Sequence, residues 1–163
     1  MSIVGQLEEI MREEISLLES FAEGEQELQD HLIKREWVAL QAIIEKLSTY
    51  AEKILNVESL RHETYRKARE EVGSTKHEGF YDFLAYLPIE ARSSLSHLHR
   101  QLKVSVMRVQ SLTGGIDAYS NESARTLRSI LDEVLPQNRG RMYSRSGTPD
   151  RGDERALVVD THL

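Results

Sequence analysis

Cysteine is absent from the 163 residues, which excludes disulfides, thiolate metal sites and thiol nucleophiles together. Uninterrupted apolar runs are missing too. No window approaches the roughly 18 apolar residues of a membrane span, so no membrane insertion is expected. The first twenty residues carry Glu8, Glu9, Glu13, Glu14 and Glu19, which argues against a secretory or transit signal and for a cytoplasmic protein. Proline is scarce, with three in the chain, and aromatics make up 6%. A net charge of −6 has the wrong sign for a nucleic-acid partner, which needs a basic face. What remains is 39% apolar and 29% charged, the balance of one domain with a thin, elongated core.

The residues that are present organise around Trp37 to Val72, a stretch without glycine or proline. Leu40, Ile43, Leu47, Tyr50, Ile54 and Val57 recur at spacings of three and four, one stripe of an α-helix, and Ile44, Ala51 and Leu55 widen it. Glu45, Lys46, Glu52, Lys53 and Glu58 occupy the other faces. Beyond Val57 the stripe turns polar at Arg61 and Thr64. A rod of about 50 Å cannot bury such a stripe alone, so the expected fold class is all-α: an elongated antiparallel bundle of long helices.

A first helix is predicted from near Ser2, with Leu7, Ile10, Met11, Ile15, Leu17, Leu18, Phe21, Ala22, Leu28 and Leu32 as its periodic set. Gly24 is its one breaker, yet the phase survives it. The polar cluster at 33–37 is an equally good connection and is where the turn is placed. Trp37 is then expected to close the end of the hairpin. Gly73 is a natural helix terminator. Phe80 to Leu87 gathers four of the ten aromatics before Pro88, as a short helix capping the bundle or as an aromatic docking patch. Pro88 suits the first turn of the next helix, with Glu90 favoured by the macrodipole. From Leu95 the seam runs through Leu98, Leu102, Ser105, Val109, Leu112, Ile116 and Tyr119, crossing Gly114 and Gly115, where a kink or weak spot is expected. Leu127, Ile130, Leu131, Val134 and Leu135 form the last helical stretch, ended by Pro136. The bundle is therefore placed at residues 1–136 and a flexible tail at 137–163, where Gly140, Gly147, Pro149, Gly152 and five arginines leave no core to pack.

Charge is unevenly placed. Residues 1–30 hold nine acids against Arg12 alone, and residues 91–110 hold Arg92, Arg100, Lys103 and Arg108 without an acid. Neighbouring helices with complementary charge are the reading this supports. Catalytic patterns are missing: none of the six histidines has Glu three residues before it, as a bundle di-metal site requires. Glu58 with His62 and Glu27 with His31 have ordinary helix-pair spacing, His97 and His99 lack a following Lys-Gly, and no phosphate loop or nucleophile elbow occurs. No enzyme, cofactor or metal is expected.

The order of the pieces resembles the FlgN family of flagellar export chaperones. Leu32-Ile33-Lys34-Arg35-Glu36-Trp37-Val38-Ala39-Leu40 matches its first turn, and Val57-Glu58-Ser59-Leu60-Arg61 is similar to its Leu-Glu-x-x-Arg. Leu84 to Pro88 matches the step into its third helix, Leu135-Pro136 its last closure, and Tyr143-Ser144-Arg145-Ser146-Gly147 its tail motif. The departure is Thr113-Gly114-Gly115-Ile116, where the family often carries an asparagine pair. The resemblance implies a cytoplasmic chaperone that binds the helical ends of hook-filament junction proteins, keeps them unassembled and delivers them to the export gate.

An amphipathic terminal helix is kept soluble by an apolar groove. That groove is placed on Leu127, Ile130, Leu131 and Val134, beyond the glycine pair, where movement leaves the first hairpin undisturbed. Tyr143 has no packing reason to stand in its tail, and the family match implies that it touches the cytoplasmic domain of the gate protein. The alternative is a structural coiled-coil homodimer that pairs through these stripes without cargo.

Overall fold

The computed structural model describes residues 2–74 and 79–134, with side chains through Leu131. All its regular structure is helical: α1 (Ile3–Lys34), α2 (Trp37–Val72), α3 (Phe80–Ala85) and α4 (Ile89–Val134). The chain divides into two compact units, Met1–Asn121 and Glu122–Leu163. The tail at 137–163, including Tyr143 and its motif, lies outside the described residues.

Local chemistry sets the helix ends of the first unit. Ser2 caps α1 by accepting the Gly5 N–H at 3.1 Å. Gly24 does not interrupt α1, and the turn falls within the expected 33–37 window. It is made by Arg35 in the left-handed region at φ 58°, with the Glu36 N–H donating to the His31 carbonyl at 3.0 Å. The carboxylate of Glu36 also meets the His31 ring at 2.6 Å, so polar contacts span both sides of the reversal. Gly73 ends α2 at φ 73°, where a side chain would be strained. Asp82 accepts the Gly79 N–H at 2.9 Å at the start of α3. Pro88 precedes α4, its carbonyl accepting the Arg92 N–H at 2.9 Å.

Contacts fix the directions of the long helices within that unit. Glu14 meets Arg61 and Glu27 meets Lys46, so α2 runs antiparallel to α1. Gln26 accepts from Arg108 and Glu25 from Thr113, while Leu95 and Leu98 join Leu7 and Met11 in one core, so α4 runs parallel to α1. That core combines Leu7, Met11, Ile15 and Leu18 of α1 with Ala68 of α2, Phe83 and Leu84 of α3, then Leu87, and Leu95, Leu98 and Leu102 of α4. Gly24 has a packing role: a Cβ there would stand 2.7 Å from Leu47 Cδ2, so glycine permits the close approach of α1 and α2.

Four expectations change. Trp37 does not close the hairpin; it is 66% exposed, because six residues before the buried Ile43 it points about 120° away around the helix. Ile44 and Leu55 do not widen the buried stripe for the same reason, and both are exposed. The acids of α1 and the bases of 91–110 form no ion pairs with one another among the described residues: the α1 acids Glu14 and Glu27 pair with α2, and Arg92 turns to α3. The α4 seam is buried only through Ser105; Val109, Leu112 and Ile116 are half-covered and Tyr119 is exposed. Gly114 and Gly115, by contrast, remain inside a continuous α4.

Candidate functional site

The polar positions of the α2 stripe are structural. Glu14 is buried, and the Arg61 guanidinium reaches its carboxylate at 2.5 Å. Arginine at the otherwise apolar 61 position therefore neutralises a charge that α1 brings into the core. Thr64 is buried one turn further on.

The α3 segment resolves in favour of a cap, with one side left open. Phe83 is fully buried edge-on to Tyr65, with ring centroids 5.2 Å apart. Phe80 stacks on His99 of α4 at 4.2 Å. Burial, then the charges of Lys103 and Arg61, hold His99 below the ordinary imidazole range, and its Nδ1 has no hydrogen-bond partner. A neutral, stacked imidazole serves as a core ring here. Arg92 closes the corner by donating to the carbonyls of Leu84, Ala85 and Leu87 at 3.0–3.2 Å, satisfying acceptors that the end of a short helix leaves open. Tyr81 of α3 and Tyr86 just after it remain exposed.

The residues placed in the cargo groove lie in the second unit. Leu127, Ile130 and Leu131 are 58%, 50% and 47% exposed, and spacings of three and four put them on one helix face. The Val134 side chain lies outside the described residues. Arg125 and Glu122 form an exposed ion pair at 3.2 Å on the same stretch. Fully burying an aliphatic side chain is worth about 1.5–3 kcal/mol, so covering the exposed half of these three adds roughly 3 kcal/mol. Micromolar binding needs about 8 kcal/mol. This face is therefore an anchor, and further contacts must supply the rest.

Sequence reasoning missed a second apolar surface, in the first unit. Trp37, Ile44 and Leu55 share the outer side of α2 and are all exposed. Their offset of 100–120° from Ile43 was the available signal, roughly one step round the helical wheel from the buried stripe. Among the described residues no group of three metal-ligating side chains occurs, and no helix is long and apolar enough to cross a membrane.

With four helices in this order and an exposed apolar face on the last of them, the comparison with known proteins becomes specific. A family model described as FlgN protein matches residues 1–151. The chain belongs to the FlgN family. Membership makes it a flagellar export chaperone, and the match spans all of the described residues. No curated protein and no solved structure matches the chain. In this FlgN-family chain α2 and α4 each carry exposed apolar side chains: Trp37, Ile44 and Leu55 on the one, Leu127, Ile130 and Leu131 on the other.

Proposed function

We propose that this chaperone works in the cytoplasm, binds the helical termini of hook-filament junction proteins and delivers them to the cytoplasmic domain of the export gate protein. The observation that carries this reading is the exposed face of Leu127, Ile130 and Leu131 on a chain of the FlgN family. An export substrate must stay unpaired before assembly, and a helix face that covers its apolar side achieves this. The modest anchor energy suits a complex that must later release. Cargo recognition is assigned to Leu127, Ile130, Leu131 and Val134. Gate docking is assigned to Tyr143, an aromatic side chain that offers a large contact area for few rotatable bonds.

The test is calorimetry with a junction-protein C-terminal peptide and circular dichroism on Ile130→Asp. Loss of peptide binding with the helical signal retained supports the assignment. Binding that persists shifts it to Trp37, Ile44 and Leu55 of α2, and helical collapse makes Ile130 a core residue. For Tyr143→Ala, peptide affinity is expected to stay constant while affinity for the gate domain falls; unchanged gate affinity rejects that role. A solution mass showing a stable dimer indifferent to the peptide would instead favour a structural coiled coil.

A further inference from the structure

Glu25 is an acid for which the chaperone reading has no use. It sits on α1 with 4% of its surface exposed, and one oxygen accepts a hydrogen bond from the Thr113 hydroxyl of α4. The other oxygen, Oε2, is buried without a hydrogen-bond partner. A buried ionised carboxylate with an unsatisfied oxygen is costly, whereas a neutral carboxyl tolerates the same setting. Glu14, eleven residues earlier, is equally buried but has Arg61. Among the described residues Glu25 pairs with no base.

The charged groups nearby do not compensate. On α4, Asp117 adds a like charge and Arg108 is engaged with Gln26 at 3.5 Å. On α2, Lys46 is paired with Glu27 at 3.8 Å. Burial accordingly pushes the Glu25 carboxyl above its ordinary range; the Thr113 hydroxyl opposes this and Asp117 reinforces it. The segment it holds is weak by composition. Thr113 is followed by Gly114 and Gly115, and nothing stands within 4 Å of where either Cβ would be. Glycine is a poor helix former, and neither position contributes a side chain to packing. Leu112 and Ile116 beside it are only half-buried.

We propose that Glu25 is a protonation-dependent latch: its neutral carboxyl lets Thr113 and the glycine-bearing turn of α4 pack against α1. Ionisation strengthens the Thr113 hydrogen bond but leaves a charge on a buried, unsatisfied oxygen, a larger cost that the turn relieves by opening to water. The folded chain binds this proton more tightly than the unfolded chain. The stabilisation is therefore complete below the ordinary carboxylate range and is lost as pH rises through the raised pKa. Because the latch sits within the first unit, it operates whether or not the cargo assignment holds.

Hydrogen exchange of the full chain, corrected for intrinsic rates, tests it. Protection of the amides of residues 113–118 is expected to fall at least about threefold as pH rises from about 4, below the ordinary carboxylate range, to about 8, with amides of residues 7–18 unchanged. Glu25→Gln keeps an acceptor for Thr113 but cannot ionise, so its 113–118 protection should be flat with pH. Thr113→Val removes the hydrogen bond that favours the charged form, so release should move to higher pH; Asp117→Asn removes a like charge and should move it lower. The proposal is overturned if Glu25→Gln retains the wild-type pH response, if Asp117→Asn alone abolishes it, or if residues 7–18 lose protection in parallel.

Discussion

Two stretches of α4 carry the same helical phase and meet opposite fates. Leu95, Leu98 and Leu102 are buried in the first unit, whereas Leu127, Ile130 and Leu131 in the second are about half exposed. Both sets are aliphatic, and each lies on one helix face. Periodicity therefore identifies which face of a helix wants cover, and a covered face needs a partner that periodicity does not name. In the first stretch that partner is a set of particular groups: Phe83 from α3, Ala68 from α2, and Leu7 and Met11 from α1.

The sharpest way to break this comparison is to truncate one leucine from each stretch. Leu95→Ala should cost about 2–5 kcal/mol in chemical denaturation, since Leu95 is fully buried. Leu127→Ala should cost less than about 0.5 kcal/mol. Equal losses would mean that the second stretch is core after all. Next in size is Arg61→Ala, which leaves the buried Glu14 carboxylate unpaired and should cost about 3 kcal/mol near neutral pH; a loss under about 1 kcal/mol would show that Glu14 has another way to be satisfied. The smallest effect concerns pH. His99 is held below the ordinary imidazole range by burial, Lys103 and Arg61, so the unfolded chain takes up its proton first and stability is lost as pH falls below about 6.5. His99→Phe keeps a ring on Phe80 and should flatten that acid limb; an unchanged limb would place its origin elsewhere.

Helix boundaries were legible because they are local. Ser2, the polar 33–37 cluster, Gly73 and Pro88 each act through their own backbone neighbourhood, and α2 begins and ends at Trp37 and Val72 as the composition indicated. Burial around the helix was legible only along the middle of each stripe. Ile44, Leu55 and Trp37 look like core by type, yet an offset of little more than a quarter-turn puts them outside. Polar roles were least legible. Helical phase sets Glu14 apart from Glu13 and Arg61 from Arg66, but that the two pair is not visible until the hairpin folds and brings positions 47 residues apart into contact. The face at 127–131 was proposed from the sequence because its apolar periodicity follows the Gly114-Gly115 pair, and its side chains are about half exposed.

Arg92 has a consequence for the order in which contacts form. Its three carbonyl partners lie 5, 7 and 8 residues away, whereas Thr113 and Glu25 are separated by 88. Closing a short loop costs less chain entropy than closing a long one, and short-range contacts form sooner. The α3–α4 corner can thus assemble as a local unit while the chain is still open elsewhere, offering α1 a ready-made seat of Phe83, Leu84 and Leu95. The 88-residue separation of Glu25 and Thr113 carries a larger closure cost, so that contact is expected to form after the corner has assembled.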